Sequence, residues 1–186
     1  MASPIGHTLA GVAAGLAVQR PDKPQLKNWL TVVIIGSNLA DIDFLFGLFG
    51  ESMNQYHRFW THSLGFVALT VLLAVAVGHW VKRPMTRRTI VLLALVMGSH
   101  LLVDMFSLDR KAPLGIPLFW PLWEGYVIAP IMPLGDLVKS GEMRHFFQSL
   151  FCVHNLRTVF KEVWLLGPVA LVAVYWNHIK KWVKHA

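Results

Sequence analysis

Histidine and aspartate residues stand inside two apolar runs of the sequence, where ionisable side chains are uncommon. Asp41 and Asp43 interrupt one run, and His100 and Asp104 interrupt another. An ionisable group at the centre of a membrane helix costs about 2.5–3.5 kcal/mol, so such groups pair, reach the interface, line a cavity or bind an ion. Histidine and carboxylate together are typical ligands of Zn, Mn or Fe. These residues therefore predict a metal site within the apolar part of the chain.

The spacing of each pair predicts its local geometry. His100 and Asp104 are four residues apart, so they share one helical face and can bind one ion. Asp41 and Asp43 point about 200° apart on a regular helix, and both can reach one centre only if the helix ends or unwinds there. The Gly-Ser-Asn sequence at 36–38 favours such a distortion.

Further candidates lie outside these two runs. His7 stands near the N-terminus, and a short block holds His57, Arg58 and His62. His57 can bind a metal or exchange a proton near neutral pH, and Arg58 can bind a phosphate or carboxylate through two hydrogen bonds. These ligands exceed one tetrahedral site, so two ions, or one ion with a general base, both remain open. The predicted metal ligands are His7, Asp41, Asp43, His62, His100 and Asp104, and the predicted catalytic residues are His57 and Arg58.

The elements that must position these residues are membrane helices. Hydrophobic residues make up 55% of the 186 residues and charged residues only 15%, against about 25% charged in a soluble domain. This composition excludes an ordinary soluble enzyme. A membrane span needs about 20 apolar residues. We predict an all-α, polytopic membrane protein, a single domain of about five helices near 5–19, 29–50, 63–81, 89–108 and 163–179.

Two other features shape the expected bundle. Gly11 and Gly15 are spaced so that the first helix can approach a neighbour closely. The connection over 109–162 is predicted to lie outside the spans. Within it, the prolines of 113–135 exclude a regular helix and favour a re-entrant or interfacial loop, whereas 143–160 is predicted to be a helix lying on the membrane.

The basic residues predict the orientation of the chain. The net charge is +7, and lysine and arginine concentrate in cytoplasmic loops. The N-terminus and the connections 51–62 and 109–162 then face outward, and four segments bring histidine and aspartate to the same membrane depth. The basic residues assigned to the inside are Arg20, Lys23, Lys27, Lys82, Arg83, Arg87, Arg88, Lys180, Lys181 and Lys184.

Five short blocks resemble a known family in order and spacing. They are Gly6-His7, Asp41-Ile42-Asp43, the His57–Ser63 block, the Ser99–Asp104 block and the Pro117–Pro121 block. The chain resembles the membrane-bound metal-dependent hydrolases of the YdjM-like type, a family often given a LexA-binding label. The resemblance implies a hydrolase of the bacterial inner membrane. A LexA contact is implied by the label alone and does not suit a site on the periplasmic side, because LexA would be cytoplasmic.

The sequence departs from the family pattern at three positions. Ala40 and Phe44 flank the acidic pair where the family commonly has proline and histidine, and Phe59 stands where glycine often follows the arginine. The change at Phe44 removes one possible ligand, so the number of ligands differs from the family pattern while the site itself is retained.

The leading hypothesis is a membrane enzyme that hydrolyses a lipid-like ester with metal-activated water. We expect a divalent metal, Zn or Mn, with two ions as an option. Arg58 and the +7 charge favour a phosphate ester or phosphodiester, and membrane lipids are the expected surroundings. The alternative is a non-catalytic metal or proton carrier, or a membrane assembly or regulatory protein. Nucleic-acid binding is not expected, because the basic residues are spread over the inside loops.

Overall fold

The computed structural model describes residues 1–110 and 112–185, with side chains described up to residue 176 apart from residue 111. The side chains of the basic tail, including Lys180, Lys181 and Lys184, lie outside the described residues. The described chain is all-α, as predicted, with two isolated β-bridges and no strand. Its helices are α1 (Pro4–Val18), α2 (Leu26–Asn38), α3 (Phe44–Gly47), α4 (Leu64–Trp80), α5 (Arg87–Met105), α6 (Met143–Leu150) and α7 (Val153–His185).

Several of these helices suit a membrane. By length and composition, Lys23–Gly47, Arg87–Met105 and Val153–Trp176 could each cross one, whereas Pro4–Val18 and Leu64–Trp80 are apolar but shorter. Large apolar side chains point away from the bundle, for example Leu72 at 67% and Phe160 at 72% exposure. Such an apolar exterior is unfavourable in water and fits contact with lipid. The chain is therefore an all-α membrane protein.

Helix α1 lies at the centre of the bundle, packed against α2, α5 and α7. A Cβ atom on Gly11 would lie 2.6 Å from Cβ of Ser37, and one on Gly15 would lie 2.8 Å from the ring of Trp29. Neither position has room for a larger side chain. The close approach predicted from the glycine spacing is confirmed, and α2 is the neighbour.

The helix predicted over 29–50 consists of three consecutive pieces. Helix α2 ends at Asn38, a 3-10 turn covers Leu39–Asp43, and α3 follows. Asn38 donates from Nδ2 to the carbonyl of Ile34 at 2.8 Å, and the carbonyl of Ser37 accepts from His100 Nδ1 at 2.7 Å. The backbone pattern changes at the same place, because the N–H of Leu39 bonds to the carbonyl of Gly36, three residues back, in the tighter 3-10 pattern. The predicted unwinding beside the acidic pair is present.

The last helix begins ten residues earlier than the predicted 163–179, at Val153. The predicted surface helix over 143–160 is also corrected, because it breaks between α6 and α7. Asn155 donates from Nδ2 to the carbonyls of Ser149 and Leu150, at 3.2 and 3.1 Å. One amide side chain thus caps the end of α6 from the first turn of α7 and separates the two helices.

The proline-rich loop between α5 and α6 closes one end of the bundle. Ser107 pairs with Leu134, and Ile116 pairs with Val127, in isolated bridges. The carbonyl of Leu118 accepts from the backbone of Leu64 at 2.8 Å, which ties the loop to the start of α4. The side chain of Ile116 is fully buried against Phe66, Val67, Met97 and Leu101. The described part of 113–135 contains no helix, as the prolines predict.

Candidate metal centre

The predicted ligands come together at the end of the bundle that the loop closes. The start of α1 brings His7, the turn after α2 brings Asp41, and the turn before α4 brings His62. Helix α5 brings His100 and Asp104 near its own end. Three overlapping groups result, with ligand atoms within 4.8 Å of one another. The groups are His7–Asp41–His100, Asp41–His57–His62 and His62–His100–Asp104.

The group of His62, His100 and Asp104 is fully buried. Nε2 of His62 lies 3.2 Å from Nε2 of His100 and 3.4 Å from Oδ2 of Asp104. Nε2 of His100 lies 3.9 Å from the same carboxylate oxygen, one helical turn away. The shared helical face predicted for His100 and Asp104 is present, and His62 faces it from another segment.

Hydrogen bonds on the far side of each ring determine where its proton lies. Nδ1 of His100 faces the carbonyl of Ser37, which can only accept, so this nitrogen must donate. Nδ1 of His62 lies 3.1 Å from the Thr61 hydroxyl, whose own proton goes to Asp43, and 3.2 Å from Oδ2 of Asp43, so this nitrogen also faces acceptors and donates. When both rings are neutral, each Nε2 atom therefore carries a lone pair and faces the other Nε2 atom and carboxylate oxygens. A cation between them, either a metal or a proton, removes this repulsion.

Asp41 completes the cluster from the unwound turn. Its Oδ1 lies 3.5 Å from Nε2 of His62 and 3.8 Å from Nε2 of His100. Both carboxylate oxygens are buried without a hydrogen-bond partner in the described part of the chain. A buried carboxylate without hydrogen bonds is unfavourable unless a cation compensates it. Asp41 therefore has the environment of a ligand.

Asp43 lies behind the ligand atoms and belongs to none of the three groups. Its oxygens accept from His57 Nδ1 and the Arg58 backbone, both at 3.0 Å, and from the Thr61 hydroxyl at 2.8 Å. The segment 57–62 thus wraps around this carboxylate. The side chains of Asp41 and Asp43 point in different directions from the 3-10 turn. Asp43 therefore contacts the far sides of His57 and His62, whereas Asp41 faces the ligand atoms of the cluster.

His7 approaches the centre from α1. Its ring stacks on that of His100 with centroids 3.7 Å apart, and its Nε2 lies 3.5 Å from Oδ1 of Asp104. Both ring nitrogens are buried, and neither has a hydrogen-bond partner among the described atoms. A neutral histidine normally satisfies at least one nitrogen when it is buried. Its position suits a ligand at the edge of the cluster.

His57 and Arg58 lie between the cluster and a cavity. Nδ1 of His57 is held by Asp43, and its Nε2 is buried without a described partner. Arg58 adopts a left-handed backbone with φ of 62°, uncommon for a residue with a side chain. Its guanidinium forms an ion pair with Asp109, and its Nε lies 3.7 Å from Oδ2 of Asp104. These contacts hold the strained residue in place.

Charge and burial shift the pKa values of the two histidines in the turn in opposite directions. Burial, helped by the charge of Lys139, lowers the pKa of His57 to about 4 despite its bond to Asp43. Burial also disfavours the charged form of His62, but the nearby carboxylates of Asp104, Asp41 and Asp43 outweigh it and raise the pKa of His62 well above its ordinary value. His57 is thus neutral at pH 7, and His62 holds a proton when no metal replaces it.

Sequence patterns did not indicate three polar residues around the site. Asp109 pairs with Arg58, Lys139 lies over the ring of Phe44, and Glu162 accepts from the backbone of Ser3 at 2.9 Å. Glu162 lies just before the apolar run that predicts the last helix, and its complete burial is a signal available only from packing. Asp109 and Lys139 lie in non-helical segments without periodicity.

Comparison with known proteins supplies the family. A family model described as YdjM inner membrane protein matches residues 1–181, which includes the last third of the chain beyond the five blocks. No curated protein and no solved structure matches. The family and the apolar helices indicate an inner-membrane location, and the His/Asp groups could hold a metal. The chain belongs to the YdjM inner membrane protein family.

Proposed function

We propose that this protein is a membrane-embedded, metal-dependent hydrolase that cleaves a lipid-like ester, preferably a phosphate ester or phosphodiester. One observation carries the proposal: the Nε2 atoms of His62 and His100 lie 3.2 Å apart beside buried carboxylates, where one ion could contact all of them. A purely structural polar cluster would direct donors at acceptors. Here both Nδ1 atoms donate to groups outside the centre, so the two Nε2 atoms and the carboxylates need a cation between them, which is either a metal or the proton on His62.

The donor set fits a divalent ion of the Zn or Mn type. His62, His100 and Asp104 would hold it, with Asp41 and His7 beside them as further ligands or as ligands of a second ion. A bound divalent ion lowers the pKa of a coordinated water and polarises the bond to be cleaved. Asp43 and the Ser37 carbonyl hold the Nδ1 protons and so keep each Nε2 turned toward the centre.

His57 is suited to accept a proton during the reaction. It is neutral at pH 7, Asp43 holds its Nδ1, and its Nε2 is available at the wall of the neighbouring cavity. The same nitrogen could instead bind a metal with Asp41 and His62. In the first role His57 would act as the general base, and Arg58 would neutralise an anionic group of the substrate beside it.

A groove between α1 and α2 supports an amphiphilic substrate. Its apolar wall includes Ile5, Leu9, Ile34 and Ile35, and it reaches Asp41 at one end. The isoleucines are about half exposed on the outside of the bundle, where lipid would surround them. An acyl or prenyl chain in this groove would bring its polar end to the cluster, as an enzyme acting on membrane lipids requires.

The orientation belongs to the same proposal. We place the N-terminus, the 51–62 turn and the site on the periplasmic side of a multi-pass protein, because basic residues concentrate in the opposite loops. Cysteine labelling tests this placement. Modification of Gln55→Cys by a membrane-impermeant reagent in intact spheroplasts is expected, and labelling only after lysis would reverse the orientation.

A metal or proton carrier is the alternative from a different class. A carrier needs polar groups that continue from the cluster along the bundle. Here α2 and α5 instead pack Trp29, Val33, Leu92 and Val96 into a buried apolar cluster below the site. This packing favours a site accessible from one side over a continuous path.

Metal analysis and hydrolysis together test the proposal. Purified wild-type protein should retain about one or two divalent ions, and His100→Ala and Asp104→Ala should lose them. His145→Ala is the matched control, because its ring is 62% exposed beside Glu142, and it should keep the metal.

The same samples should be assayed on lipids and phosphoesters. Metal-dependent cleavage that both cluster variants lose is the expected result. Negligible metal in the wild-type protein and all variants would overturn the enzyme hypothesis, and bound metal without cleavage of any ester would favour the carrier.

A further inference from the structure

A second cavity lies beside the cluster, under the loop that joins α5 to α6. Its volume is about 620 Å³, and His57 and Arg58 form part of its wall. Its described lining also carries two further cations, Arg110 and Lys139, and two carboxylates, Asp109 and Asp136. The cavity therefore has an excess of positive charge next to the residue proposed as the general base.

The acids in the wall neutralise two of the three cations. Asp109 pairs with Arg58, and Nε of Arg110 lies 3.1 Å from Oδ2 of Asp136. Lys139 forms no ion pair with the described residues. Its Nζ lies 2.6 Å from the sulfur of Met1 and 4.3 Å above the ring centre of Phe44. A thioether is a weak acceptor, so it does not replace a carboxylate as partner of an ammonium group.

Two further nitrogens at this wall lack partners. Nη2 of Arg58 makes no hydrogen bond with the described atoms, although the side chain is only 9% exposed. Nε2 of His57 is equally buried and without a described partner, with 7% of its side chain exposed. Unpaired polar groups away from water are unfavourable unless a ligand completes them. The arginine donor suits an anionic oxygen, and a phosphate offers both accepting oxygens and, when it keeps a proton, a donating hydroxyl, so it can pair with Nη2 of Arg58 and with Nε2 of His57.

The ring of Phe44 lies between the ammonium group of Lys139 and the ring of His57, the residue proposed as the general base. It stacks on His57 with ring centroids 4.2 Å apart and also contacts Lys139, whose ammonium lies over it. Burial lowers the pKa of Lys139 to about 8, and nearby carboxylates partly oppose this, so most of the group stays charged at pH 7. The positive charge of Lys139, which would bind an anion, is thus separated from His57 by the ring of Phe44.

We infer that this cavity binds the phosphate-type head group of the substrate and that Lys139 determines its preference for an anion. The inference rests on the proposed function, because it places the head group beside the cluster where the ester would be cleaved. Arg58 would bind a phosphoryl oxygen through Nη2, and Lys139 would neutralise the remaining charge. Arg110, already paired with Asp136, would contribute little.

Inorganic phosphate tests the site without any reaction. Binding is measured by calorimetry on the full chain in detergent after removal of metal with EDTA. Lys139→Met should weaken phosphate binding by at least about tenfold, as expected for a lost charge-assisted bond. Lys139→Arg should retain binding within about threefold. Arg110→Gln removes the same charge from the same cavity, at a side chain that is 63% exposed, and should change the affinity by less than about threefold.

Equal phosphate affinity in wild type and Lys139→Met would overturn the inference. So would binding that requires added metal, or acetate binding as tight as phosphate binding. Acetylation of Lys139 in the wild-type protein gives a second measurement that needs no variant: phosphate should slow it, and equal rates with and without phosphate would also overturn the inference. Phosphate binding through Lys139 without cleavage of any ester would leave this site standing and defeat the proposed hydrolase.

Discussion

Helices α1, α2 and α5 build two different interiors along their length. Toward one end they bury Trp29, Val33, Leu92 and Val96, with side chains of α1 packed against them. Toward the other end the same helices bury histidines and carboxylates. The apolar interior is filled by packed side chains, with the Trp29 indole nitrogen buried there without a described hydrogen-bond partner. The polar interior instead buries several carboxylate oxygens and ring nitrogens that lack such a partner. The comparison indicates that one half of the bundle is packed for stability, whereas the other half buries His and Asp groups that could hold a metal.

The largest expected effect is on metal binding by His62→Ala. The variant removes the ring that faces His100 and both carboxylates, so metal affinity should fall by at least about 100-fold, more than the loss of a supporting residue costs. Metal should raise the unfolding temperature of the wild type and leave that of the variant unchanged. His154→Ala, with a ring that is 44% exposed, is the control. Equal stabilisation of wild type and His62→Ala by metal would remove the distinction between the two interiors.

A substitution in the apolar interior should lower the stability of the protein and leave its metal affinity unchanged. Leu92→Ala opens a cavity beside Val33 and Val96 and should lower the free energy of unfolding by about 2 kcal/mol. This is the low end for leucine, because lipid is as apolar as the core and only the packing is lost. Metal affinity of the folded variant should be unchanged. A metal affinity that falls together with stability would indicate that the two regions form one cooperative unit.

The Asp43→Asn variant tests whether the residue behind the ligand atoms contributes to metal binding. Asp43→Asn keeps the shape but weakens the hold on His57, Thr61 and the Arg58 backbone, so metal affinity should fall by about tenfold. Asp136→Asn is the matched control, because Asp136 pairs with Arg110 outside the cluster. Equilibrium dialysis with zinc measures both. An Asp43→Asn variant that loses metal as completely as His62→Ala would make Asp43 a ligand after all.

The polar interior was largely predictable from the sequence. Ionisable residues in apolar runs have few stable placements, and the predicted helices, oriented by the basic residues, bring four segments with His and Asp to one membrane depth. The residues before Asp41 and Asp43 also favour a distortion of the helix there, and the chain does leave the α-helix at Leu39–Asp43. The spacing does not indicate which aspartate faces the centre, because that depends on contacts made by residues 57–62.

The start of α7 and the cavity wall could not be predicted in the same way. The first turns of α7 bury Asn155, Thr158 and Glu162, so a search for apolar runs begins the helix too late. These polar groups are satisfied by distant partners such as Ser3. Lys139 reaches the site through a loop whose path depends on bridges and backbone bonds made far along the chain. The spacing of neighbouring residues in the sequence does not indicate such long-range contacts.

The effect of pH on metal binding separates the two histidines of the turn before α4. The pKa of His62 is raised by the carboxylates around it, so the metal-free protein carries a proton there at neutral pH. Metal must displace that proton, and affinity should fall as pH decreases, by up to about tenfold per unit. The pKa of His57 is lowered to about 4, so this ring is already neutral between pH 6 and 8 and should release none.

Calorimetry in buffers of different ionisation enthalpy measures the protons released when zinc binds. One proton per ion is expected for the wild type at pH 7, and His57→Ala should release the same number. A metal affinity that is constant from pH 6 to 8 would mean that no proton lies between the Nε2 atoms of His62 and His100 in the metal-free protein. The polar interior would then be stable without a cation, as the apolar one is.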